Sequence, residues 1–182
     1  MQIRQVALHY RPEADRLLLR VNVSDGAQVA VWFTRRLCLR LWPHLDSAIT
    51  RIAVAKETGQ AKLTHAIVTP EAQAMLAQSA RERALRDADF KTPFAEQAAT
   101  HPLGSEPMVA VEVQLTPRSD GHLRLVIVDA SKRNVQLQLT ETMATAFKEL
   151  MTQALRQAEW GIDLRDAAAS PAPPAPGSRL LN

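Results

Sequence analysis

The chain has 182 residues, 46% hydrophobic and 23% charged, with a formal net charge of +3 and a single cysteine. That length suits one domain, or two small subdomains sharing a core, of ordinary globular composition. One cysteine excludes an intramolecular disulfide, and no apolar run reaches the roughly 18 residues that cross a bilayer as a helix.

MQIRQVALHYRPE enters an alternating pattern at once, without the apolar core and cleavage site of a signal peptide, so a cytoplasmic setting is expected. Alternation predicts a first strand over Ile3–Arg11, closed by the turn-forming run RPEAD, and a second over Arg16–Val23. SDGA carries the Asp-Gly signal of a tight hairpin and leads to a third strand, Gln28–Phe33. Thr34 then stands where a helix N-cap belongs. The helix it opens should run to about Ala55, with a kink near Trp42 or a break, because Pro43 removes one hydrogen bond and clashes with the turn before it. Cys38 lies in the apolar pattern of this helix and reads as a small buried hydrophobe.

Thr69-Pro-Glu opens a second helix, about Pro70–Ala88, with a weak apolar face. Residues 90–108 hold three prolines and read as a connector. The earlier order then returns: strands over Val109–Thr116, His122–Val128 and Asn134–Leu139, a capping Thr140, and a helix from Glu141 to Trp160 with Gly161 as its C-cap. The Ala/Pro-rich stretch beyond Leu164 is of low complexity, and disorder is expected there.

Aligning Leu17 with Leu123 pairs the apolar positions without a gap as far as Ile49 and Leu155. The sequence therefore predicts an α+β protein of two diverged β-β-β-α units with a pseudo-twofold relation, antiparallel sheets covered by helices, and one inserted helix between the units. The expected divisions are 1–57 for the first unit, 58–107 for the helical insertion and connector, 108–165 for the second unit, and 166–182 for the tail. The inward set should be Leu17, Leu19, Val21, Val29, Val31 and Phe33 in the first unit. Leu123, Leu125, Ile127, Val135, Leu137 and Leu139 are their counterparts in the second.

The outward positions diverge. The second unit presents Glu112, Gln114, His122, Arg124, Gln136 and Gln138, with Val126 the exception, whereas the first presents Arg16, Leu18, Arg20, Gln28, Ala30 and Trp32. Residues 1–57 also carry nine Lys/Arg against five Asp/Glu, so the positive excess belongs to the first unit. Arg35 and Arg36 oppose the dipole of the helix they begin, and Arg40 follows one turn later. Trp32, Arg16, Leu18, Arg20, Arg35, Arg36 and Arg40 are accordingly the candidate contact residues. A non-catalytic protein-binding or assembly module is expected, its partner another protein or a second copy in a homodimer. The alternative is single-stranded nucleic acid, held by stacking on Trp32 and by arginines on phosphates. No membrane partner is expected. The histidines lack ligand spacing, and there is no phosphate-binding glycine loop or nucleophile elbow. No catalytic residue, metal or cofactor is assigned.

Overall fold

A computed structural model of the chain describes residues 2–61, 69–96 and 100–164. The expected Ala/Pro tail, from residue 166, lies outside the described residues. In chain order the elements are β1 (Ile3–Arg11), a short 3-10 turn (Pro12–Ala14), β2 (Arg16–Val23), β3 (Gln28–Thr34), α1 (Arg35–Ala61), α2 (Pro70–Asp87), β4 (Met108–Pro117), β5 (His122–Asp129), β6 (Asn134–Thr140) and α3 (Glu141–Ala158).

The fold is α+β, and its strands form one six-stranded mixed sheet in the order β1-β2-β3-β4-β5-β6. This corrects the expectation of antiparallel sheets: β3 and β4 run parallel, joined at Val31/Met108 and Trp32/Val109. Hairpin turns join the other neighbouring strands, but β3 reaches β4 through two helices and a connector. A crossover of that length brings the chain back to lie parallel. Both flanking ladders are antiparallel, and β1 and β4 each slip register once, between Ile3 and Gln5 and between Ala110 and Glu112.

Both threonines cap as their positions suggest. Thr34 Oγ1 accepts the amide of Leu37 at 3.3 Å, and Thr140 Oγ1 accepts that of Met143 at 3.3 Å. α1 continues unbroken through Pro43. Proline deprives the carbonyl of Leu39 of its partner, yet both residues are exposed, so water can satisfy that carbonyl and the ring presses on no core. α3 ends earlier than expected, with Glu159 rather than Gly161 in the left-handed capping position, φ 51°.

All twelve residues of the inward set are buried. They meet the apolar stripes of the two long helices, and each of these crosses to the far half of the sheet: α1 packs chiefly on β4, and α3 on β1. Cys38 is completely buried within this core. Among the described residues, two ion pairs link these helices, Lys148 of α3 with Asp46 of α1, and Lys56 of α1 with Glu141 of α3 at 2.7 Å.

Trp160, just past α3, is buried and closes the end of the core. Its ring meets Tyr10 edge-on at 5.8 Å, and its indole N–H donates to Asp15 Oδ1 at 2.7 Å. Tyr10 donates its hydroxyl to the same oxygen at 3.0 Å. These two bonds, the indole's first, hold the Asp15 pKa below its ordinary value. An unfolded chain with the ordinary pKa takes up its proton first as pH falls. The stability Asp15 contributes is therefore present above the ordinary carboxylate range and lost as pH drops through the depressed native value. Urea midpoints followed from about pH 6 down to about pH 2 should fall less steeply in Asp15→Asn than in wild type. Equal slopes would show that Asp15 contributes nothing to acid sensitivity.

Candidate functional site

The strand register places the outward side chains of the first half in four rows. Arg11, Arg16 and Thr34 form the first; His9, Leu18, Trp32 and Val109 the second; Ala7, Arg20 and Ala30 the third; Gln5, Asn22 and Gln28 the last. The second row crosses all four strands and is largely apolar. Leu18 and Trp32 are half-buried, and Val109 is exposed.

The third and last rows are strapped by the chain itself. Gln5 donates its side-chain amide to the carbonyl of Pro93 at 3.1 Å and accepts the amide of Ala95 at 3.0 Å. Asn22 donates to the Ala95 carbonyl at 2.8 Å. Beyond the strap, the Gln28 amide reaches the Thr100 carbonyl at 2.9 Å. Arg20 is enclosed beneath this segment. Its guanidinium pairs with both carboxylate oxygens of Glu96 and lies 4.7 Å from the centre of the Phe94 ring. Ala7, on the outward face, is only 5% exposed because the strap covers it.

The seven candidate residues are thus separated. Arg16, Leu18 and Trp32 share one open patch, with Leu18 and Trp32 directly opposite each other in the ladder. Arg20 is held by Glu96. Arg35 and Arg36 are exposed on the first turn of α1, and Arg40 faces a groove between α1 and β4. Burial, then the charges of Arg20 and Arg11, lower the pKa of His9 against the opposing effect of Glu96, leaving it neutral near pH 7. The open patch is therefore apolar at its centre, with cationic groups along one side only.

Sequence reasoning missed the strap, because residues 90–108 read simply as a connector. One signal was available: Ala7 and Ala30 flank Arg20 on an outward face, and small residues around a long one leave a recess that another segment can fill.

Comparison with protein-family models, curated proteins and solved structures finds no match. What the site can do rests on its own chemistry. Among the described residues no three His, Cys, Asp or Glu side chains gather as metal ligands. Burial pushes the Cys38 thiol up to about 12, which keeps it protonated and inert as a nucleophile. A cleft of about 940 Å³ lies between β1, α3 and residues 87–95. Asp89, on its wall, is already engaged by the Thr92 hydroxyl and the amides of Lys91 and Thr92. No described helix is long and apolar enough to cross a membrane.

Proposed function

We propose that the protein is a non-catalytic binding or assembly module, built from two diverged β-β-β-α units, that pairs with a second copy of itself through the Leu18–Trp32–Val109 row. The twofold relation is supported by matching capping threonines at equal spacing and by the exchange of helices between the two halves of the sheet. The observation that carries the functional reading is the uneven covering of one face. The chain straps down the rows that hold Arg20, Gln5 and Asn22 and leaves the apolar row open, with Arg16 beside it. A half-exposed tryptophan beside aliphatic side chains, with an arginine at the margin, has the composition of an interface centre.

Single-stranded nucleic acid is the second reading, favoured by Trp32 lying one row from Arg16. The engagement of Arg20 by Glu96 weakens it, since a phosphate would have to displace a carboxylate already in place.

The two readings separate in one pair of measurements. The homodimer predicts a mass in sedimentation that rises with concentration, and at least a tenfold weaker association in Leu18→Asp. A constant monomer mass would overturn it. Salt-sensitive binding of a labelled single-stranded oligonucleotide, weakened in Trp32→Ala, would replace it with the second reading.

A further inference from the structure

The stretch of β4 beyond Val109 has a strand on one side only. It pairs with β5 as far as Pro117, but its ladder with β3 ends at Val109. Among the described residues, no turn or loop backbone group bonds to residues 110–117. The free edge therefore offers amides and carbonyls spaced for another strand. A register slip bounds this stretch at one end and Pro117 at the other, leaving about five regular residues, roughly 17 Å of ladder.

α1 stands beside this edge, and between them lies a groove of about 660 Å³. Val111, Val113 and Leu115 line one side, with Val111 54% exposed. On the other side Arg40, His44 and Arg51 project from α1 at spacings of four and seven residues, which keeps them on one helix face. All three are exposed, and none has an acidic partner among the described residues. Among the described residues Glu112 is the one acid lining the groove, and it accepts a hydrogen bond from Gln114 at 2.8 Å.

From the free edge and the two unpaired arginines of this helix face together, we infer that this groove receives an acidic, extended segment of a partner polypeptide as an added strand on β4. Main-chain hydrogen bonds would hold the segment. Its alternate side chains would meet the apolar wall, and acidic ones would meet Arg40, His44 and Arg51. Nucleic acid could supply the charge but has no backbone to extend a ladder. The groove is distinct from the Leu18–Trp32 row, and the inference does not rest on the assembly proposed there.

The test uses the full chain and a seven-residue peptide of alternating valine and glutamate. Binding is expected, with slowed hydrogen exchange of the β4 amides between Val111 and Thr116. It should weaken at least tenfold when lysine replaces glutamate in the peptide, and again in Arg40→Glu/Arg51→Glu. The charge-reversed protein should in turn prefer the lysine peptide, a result that misfolding cannot produce. Trp32→Ala should bind the acidic peptide like wild type, so failure of the assembly reading and failure of this one are told apart. The inference would be overturned by no binding at about 1 mM peptide, by equal binding of both peptides, or by equal binding of an acidic peptide N-methylated along its ladder-forming edge. Capture of a single-stranded oligonucleotide by Arg40 and Arg51, with no peptide binding, would overturn it in favour of nucleic acid.

Discussion

Lys148→Ala is expected to destabilise the protein by about 3–5 kcal/mol, because it removes one partner of a buried ion pair and strands the other. The Lys148 side chain is 4% exposed and that of Asp46 15%. The ammonium also lies 5.6 Å from the centre of the Trp42 ring, so alanine forfeits a cation–π contact and the packing of the aliphatic stem. The pair joins α3 to α1 and has little water to replace it. In a chain of this size the loss should lower the melting temperature by roughly 6–20 °C. Substituting both partners with apolar residues, Asp46→Leu/Lys148→Met, should recover most of it, since no charge is then left unpaired. Chemical denaturation of the two variants decides the matter. A double variant as unstable as Lys148→Ala would show that the ion pair is itself net stabilising, since methionine keeps the packing of the lysine stem.

Phe33→Ala should cost a similar amount, about 3–5 kcal/mol, through a different mechanism. Phe33 is completely inaccessible, pairs across the ladder with the equally buried Leu17, and immediately precedes the Thr34 cap. Removing its ring opens a cavity at the junction of sheet and helix, where strand and cap hold the backbone on both sides and limit collapse. Phe33→Leu retains most of the volume and should cost well under half as much. A cost for Phe33→Ala below about 1 kcal/mol would mean that the junction relaxes freely, contrary to the packing of this core. The change adds no charge and leaves the strap untouched. Association through the face around Trp32 should therefore survive in Phe33→Leu.

Much of the fold was legible in the residues because it is local. Period-two alternation marked all six strands, and the twelve residues of the inward set are all buried. Hydroxyls at Thr34 and Thr140 marked two helix starts, since a free first-turn amide needs an acceptor wherever the helix goes. Pro43 shows where local reasoning failed. Its penalty is genuine, but its size depends on whether the orphaned carbonyl faces core or water, and here Leu39 is exposed. Glu159 taking the capping position expected of Gly161 is a similar case, with the burial of Trp160 setting where the helix stops.

The candidate site was legible only in part. The sequence placed Arg16, Leu18, Arg20 and Trp32 on one outward face, as alternation requires, but alternation cannot say what lies over that face. The strap comes from residues some seventy positions away, and it removes Arg20 while leaving Leu18 and Trp32 open. The parallel meeting of β3 and β4 likewise depends on where a long crossover returns, and the free β4 edge follows from how soon that pairing ends. By itself the sequence determined which residues turn inward and where helices begin, because burial period and capping chemistry act over a few residues. Only the tertiary structure decided which outward residues stay available, because that depends on contacts between distant segments.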